Sequence, residues 1–370
     1  MERTTYQKMS RASHAQWLLA VALFASGAVQ ATETELDVGY GFGWDDNIFY
    51  TDTNEQDEAF GILDVDFDYE RDLSTNLSLE MNAMYEDKHF KSESDARDRF
   101  FSAWTQLKYQ RDNYAVGIQI DPQYSQFVTS DTDGGLILPG KQRINTLKAR
   151  VFTEVDVGSR SSVELGFERK EKDYRDSDSD YDANIVDIRL RNRLSDSVRL
   201  DIGAEREKRD YDNRLARTAA GTDVTGNTLD IDRTSWFVKG TWLPTDHQKY
   251  SLQYKRRENE DDFQEFYGHD KDQLTLRAKY RWDNGISFET KIKYSEKSYD
   301  EQLDDNLRSL DDDKSGIDLE LEVPMTLILG SGWDKWYSRM TFEWDDLDSG
   351  LDSRTYQKNG YWITLHRVFN

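Results

Sequence analysis

The chain has no cysteine, and only 4 prolines occur in its 370 residues. Without cysteine there can be no disulfide and no lipid on an N-terminal thiol. Positive charge is also short: 48 Lys and Arg stand against 72 Asp and Glu, for a formal charge of −24. Nucleic acid is therefore not an expected partner. No apolar run reaches the roughly 18 residues that a membrane-spanning helix needs. Histidine is sparse: His14, His89, His247, His269 and His366. None lies in an HExxH motif, and no GxSxG elbow or phosphate-binding glycine loop accompanies them. A Ser338–His366 pair is conceivable, but a strand-end imidazole facing water is the preferred reading. No catalytic residue, cofactor or metal is expected, and the chain is not expected to be an enzyme. The oxygen-rich stretches WDDN (44–47), DTDGG (131–135), NEDD (259–262) and DDD (311–313) read as solvated loop acid. The sharper alternative is divalent cation bridging to lipopolysaccharide phosphate.

What is present points elsewhere. A mean hydropathy of −0.87 resembles a disordered acidic chain. Yet aromatics make up 13%, with 20 Tyr, 17 Phe and 10 Trp, which suits pleated, half-buried surfaces. Residues 1–31 read as a secretory signal: Arg3, Lys8 and Arg11, then WLLAVALFA, then small residues ending at Val29 and Ala31. Residues 32–370 form one expected domain. Its period is two almost throughout. Leu36, Val38, Tyr40, Phe42 and Trp44 alternate with Asp and Gly; Leu274, Leu276, Ala278, Tyr280 and Trp282 alternate with Thr275, Arg277, Lys279 and Arg281. Such alternation gives each strand one apolar and one polar face.

The runs predict about sixteen strands, within the range of outer-membrane barrels. Their spans are 36–44, 60–70, 76–86, 98–110, 114–124, 143–155, 162–169, 185–194, 198–206, 234–243, 249–256, 273–282, 286–295, 316–328, 335–345 and 355–369. Short connections such as QRDN (110–113) and DNG (283–285) alternate with longer acidic ones at 125–141, 172–184, 257–272 and 300–315. That is the pattern of an all-β transmembrane up-and-down antiparallel barrel, with tight turns at one end and loops at the other. The expected location is the outer membrane of a Gram-negative bacterium. Closure satisfies every backbone polar group in lipid without an edge strand.

The polar faces divide by charge. Asp64, Asp66, Asp68, Glu80, Asp318, Glu320 and Glu322 predict an acidic pore-lining wall. Lys148, Arg150, Arg189, Arg191, Arg193, Arg199, Lys239, Arg277, Lys279, Arg281, Lys291 and Lys293 predict a basic wall across from it. Opposed walls focus a field across a pore and set its selectivity; cross-strand ion pairing is the plainer alternative. At the C-terminus Tyr361, Ile363, Leu365 and Phe369 share one face. This row resembles the signal read by the barrel-assembly machinery, with Arg367 interrupting it.

The stretch YGFGWDDNIFYTD (40–52), with its turn Trp44, Asp45, Asp46 and Asn47, resembles the first strand of a β-barrel porin family associated with exopolysaccharide and capsule gene clusters. The resemblance implies export of polysaccharide across the outer membrane, in contact with membrane lipid and lipopolysaccharide, with a separate periplasmic export component. A general diffusion porin for small solutes is the alternative, and an outer-membrane enzyme or adhesin using its external loops is a third.

Overall fold

The computed structural model describes residues 33–50, 55–91, 97–129, 132–133, 136–137, 140–304 and 306–369. The expected signal segment, 1–31, lies outside the described residues. Sixteen strands close into one barrel. In chain order they are β1 Glu33–Asp45, β2 Glu58–Ser74, β3 Leu77–Phe90, β4 Asp98–Arg111, β5 Tyr114–Thr129, β6 Gly140–Asp156, β7 Ser161–Tyr174 and β8 Tyr181–Arg193. They continue with β9 Val198–Arg217, β10 Asp223–Thr245, β11 Gln248–Asp261, β12 His269–Arg281, β13 Ser287–Leu303, β14 Ser309–Pro324, β15 Trp336–Ser349 and β16 Tyr356–Phe369. Each pairs antiparallel with its neighbour in sequence, and β16 closes on β1 through the register Leu36–Phe369 to Asp45–Gly360.

Closure puts the apolar set of each strand on the outside. Val186, Ile188, Trp236, Leu252, Leu274 and Leu276 are all more than a third exposed. In water such a belt would be a liability; in a bilayer it is the lipid face. On β12 the belt runs from Leu274 to Trp282, about 27 Å of strand at 3.4 Å per residue. Aromatic pairs mark its two ends: Trp242 stacks on Tyr250 and Tyr280 meets Trp282 at the tight-turn end, and Trp236 meets Tyr254 at the other. These are the interfacial rings of a membrane barrel.

The strands outrun the sequence-based spans at one end. β9 continues to Arg217 and β10 starts at Asp223, where strands ending at 206 and starting at 234 were expected. The long acidic connections are largely paired strand standing above the membrane. The alternation signal fades there because water, not oil, bathes the outer face, while backbone pairing persists. One strand stops early: β14 ends at Pro324, which has no N–H to donate. The chain then forms a short helix, Thr326–Leu329, and a 3-10 turn, Ser331–Trp333, where strand was expected to run on to 328.

The closing seam is tight. A Cβ at Gly41 would lie 1.9 Å from the Ile363 carbonyl oxygen, and one at Gly39 would lie 2.3 Å from the His366 ring. Only glycine allows β16 to lie this close to β1.

Candidate functional site

The barrel interior carries the chemistry, and the register assigns its neighbours. All of the sequence-predicted wall residues sit on the face opposite the lipid belt. Asp64, Asp66 and Asp68 face Glu86, Met84 and Asn82 across β2–β3. Glu80 faces Gln106, and Asp318, Glu320 and Glu322 face Glu343, Thr341 and Arg339.

The basic residues divide into two arcs. On β6–β10 they alternate with carboxylates. Arg150 donates to Glu164 and Asp187, both at 2.7 Å, and Arg191 donates to Glu154 and Glu164 at 2.9 Å. Lys148 lies opposite Asp121, Lys239 opposite Asp201 and Arg189 opposite Glu164, while Arg193 and Arg199 face each other. On β11–β13 several cations lie directly opposite one another. Arg257, Lys271 and Lys297 follow one another across the three strands, and Arg277 faces Lys291. Lys293 lies opposite Thr275 and Arg281 opposite Ser287. Lys279 meets Glu289 at 3.3 Å, and Lys291 is ion-paired with Asp318 at the border with the acidic arc. The basic wall is thus a mixed arc followed by a basic one, and the basic arc adjoins the acidic arc at β13–β14. Sequence alone hid this because the neutralising carboxylates come from neighbouring strands. Like charges placed directly opposite are destabilising in a sheet, so the β11–β13 arc has a stability cost.

Inside the acidic arc lies a polar knot at the closing seam. Arg339 donates to Asp64 at 3.0 Å, to Glu322 at 3.1 Å and to the Tyr337 hydroxyl at 3.1 Å. Tyr337 donates to Asp37 and stacks on His366 with ring centroids 4.7 Å apart. His366 joins Asp37 at 3.2 Å and Thr364 at 2.7 Å. Hydroxyl, imidazole and carboxylate stand in the order of a catalytic triad, but Thr364 is only 2% exposed, so its hydroxyl is packed away from the lumen. The network ties β1 to β15 and β16. Ser338 is not part of it: it pairs with Leu365 on the other face, while Tyr337 is the residue opposite His366.

Above the membrane the interior is dry. One apolar cluster joins Ile144, Tyr174, Tyr181, Tyr211, Leu229, Ile231 and Tyr267, with Phe127 and Phe266 against it. A second joins Ile48, Phe60, Ile62 and Phe90, with Phe49 and Trp362. Loops fold inward to build this cap. Tyr267 and Phe263 donate backbone N–H groups to Asp261, and Gln302 donates to the Phe266 carbonyl at 2.9 Å.

Alternate residues of the oxygen-rich stretches are internal acceptors, which corrects their reading as solvated acid at Asp45, Asp46, Asp261 and Asp312, while Glu260, Asp262, Asp311 and Asp313 are exposed. Asp45 pairs with Lys358 at 2.9 Å, Asp46 accepts from Asn359 at 2.6 and 2.7 Å, and Asn47 donates to the Gln357 carbonyl at 2.8 Å. The WDDN turn therefore clasps the last strand. Asp312 accepts from Arg354 and Ser349. Every second residue still points inward because the strand continues through these segments. Residues 131, 134 and 135 of the DTDGG stretch lie outside the described residues. Among the described residues no group of three acidic or histidine side chains is placed to hold a metal ion.

A charged layer lies under the cap. Glu207 bonds Lys170, Arg209 at 2.9 Å and Arg233 at 3.2 Å. Burial opposes its charge, but Arg209, Arg233 and Lys170 hold the carboxyl well below its usual range. Burial draws Lys170 down to about 8 against the pull of Glu207. Arg233 donates to Asn259 at 2.6 Å, and Asn259 donates to His269, whose imidazole burial keeps well below its ordinary pKa. Exposure varies around the lumen: Glu207 is 3% and Arg209 2% exposed under the cap, against 48% for Lys279 and 36% for Glu289 and Glu320, while the closing seam is packed, with His366 at 1%. Apolar clusters occupy the loop end, and part of the wall toward the tight turns is open.

A closed sixteen-strand barrel with a lipid belt and a polar interior is an integral outer-membrane protein of a Gram-negative bacterium. Residues 45–369 match the family described as surface lipoprotein assembly modifier, and the chain belongs to that family. Lipoprotein assembly, not polysaccharide, is what that family's description carries. No curated protein matches the sequence. Among solved structures the chain is similar to OccAB4 of Acinetobacter baumannii, at 9% identity and TM-score 0.47 over 92% of this chain and 99% of that one. It is similar to a loop-deletion mutant of OmpT from Vibrio cholerae, at 12% and 0.43 over 92% and 100%. It also resembles a bacterial polysaccharide outer membrane secretin, at 8% and 0.43 over 92% and 99%. Nothing about function follows from likeness at that level.

Proposed function

We propose that this barrel takes part in bringing lipoproteins to the cell surface, admitting a segment of the client into the charged lumen from the periplasmic side. The observation that carries the reading is the axial asymmetry. Apolar clusters packed inside the loop end, above a charged lumen, suit a gated conduit better than an open diffusion pore. The family supports lipoproteins as the client. The like-charged rows of β11–β13 lower stability, a cost that is understandable if an acidic, extended segment docks there. In this reading the predicted wall residues line the path, lipopolysaccharide surrounds the external strands, and a separate periplasmic component delivers the client. The outward row Tyr361, Ile363, Leu365 and Phe369 serves assembly of the barrel, and no covalent step is involved.

The test is surface display in cells lacking the chain. Protease shaving of whole cells should release fewer lipoproteins, their total amounts unchanged, and the full chain should restore display. Undiminished display would exclude the reading. Export of an anionic polysaccharide is the second reading, favoured by the same basic arc. Loss of capsule or exopolysaccharide with intact lipoprotein display selects it. A steady open current from the purified barrel would select a general diffusion porin instead.

A further inference from the structure

The connection between β14 and β15 differs from the other turns at its end of the barrel. Those are short and expose at most one large apolar side chain each, as at Val157, Leu194 and Trp282. This one exposes three consecutive apolar side chains: Leu327 at 49%, Ile328 at 63% and Leu329 at 51%. Its four-residue helix has no buried residue, so the three side chains have no protein core to enter. The segment is nonetheless pinned at both ends. Met325 N–H donates to the Trp336 carbonyl at 2.9 Å, and Val368 N–H donates to the Lys335 carbonyl at 2.9 Å. A pinned segment with exposed aliphatic side chains calls for an apolar neighbour.

Its position names that neighbour. The connection continues directly from Leu319, Leu321 and Val323 on the lipid face of β14. Trp333 and Trp336 lie 5.3 Å apart beside it, and the Arg367 guanidinium covers the rings of Trp336 and Phe369 at 5.3 and 4.7 Å. Aromatic rings and a basic residue at this level mark a membrane interface. Gly285, at φ +88°, turns the β12–β13 connection so closely that a Cβ there would lie 3.0 Å from Pro324.

We propose that residues 325–335 form a membrane-inserted tongue: Leu327, Ile328 and Leu329 enter the periplasm-facing leaflet of the bilayer. Continuity with the lipid belt and the flanking Trp and Arg side chains argue for a bilayer as occupant. The inference stands whichever cargo the lumen takes, so its failure is separate from failure of the lipoprotein reading.

The cysteine-free chain makes the test simple. The full protein carrying Ile328→Cys is labelled with a polarity-sensitive fluorophore and reconstituted in vesicles of phosphatidylethanolamine and phosphatidylglycerol. The label should shift to the blue, be quenched by brominated acyl chains and be shielded from iodide. Asp283→Cys, on the neighbouring turn, should stay aqueous. A label at 328 as accessible to iodide as one at 283 overturns the tongue. Heat-modifiable gel migration verifies folding of each variant.

Discussion

The two ends of this barrel solve opposite problems with the same strands. Toward the periplasm the strands end at the membrane, and part of the interior wall stays open, with Lys279 half exposed. Toward the outside they run on, and the interior fills with Tyr, Leu and Ile, until Leu229 is 0% exposed. The external end must keep its shape without a bilayer around it. It does so by building a core inside the barrel, where a soluble protein would have one. The periplasmic end is held by lipid outside and closure around the ring, and can leave its polar face solvated.

Removing the cap should have the largest effect. Replacing 262–268 with a short Gly-Ser linker takes out Phe266 and Tyr267. Single-channel recording should then show an open pore where the intact chain is silent. A silent variant would mean that the remaining clusters seal the mouth alone. Next comes Glu207→Ala, which leaves Lys170, Arg209 and Arg233 facing one another; breaking a buried pair costs about 3–5 kcal/mol. Heat-modifiable migration should shift to lower temperature. Because the Glu207 carboxyl is held below its unfolded value, its stabilisation is present above the ordinary carboxylate range and is lost only as pH falls well below it. A wild-type advantage already gone at pH 5 would contradict the assignment.

Charge reversal sharpens the difference between the arcs. In the uncapped barrel, Arg277→Glu with Lys291→Glu should move ion selectivity toward cations several-fold with little loss of stability. Arg150→Glu with Arg191→Glu should instead reduce folded yield, because both arginines are tied to Glu164. Equal effects on selectivity would erase the division. Smallest of all is Asp176→Asn, which breaks the surface pair with Arg143. An exposed pair contributes about 0–1 kcal/mol, so thermal stability should barely move.

Much of the fold was legible. The alternation in β1, β12 and β13 comes from oil on one side and water on the other, and the strand number follows from it. Tight turns such as DNG were equally plain. The extent of β9 and β10 was not, because beyond the bilayer both faces of a strand can be polar and no period remains. The connection at 257–272 reads as an acidic external loop, yet Tyr267 lies 1% exposed inside the cap. No local pattern distinguishes a loop that folds inward from one that reaches out.

By itself the sequence determined that about sixteen amphipathic strands would close around a charged interior, since that pattern has no other way to bury its backbone in lipid. Tertiary structure alone decided which charges cancel, which end is dry and how the ring is latched. Those depend on register and on residues such as Asp37 and His366, more than 300 positions apart in the chain and 3.2 Å apart in space.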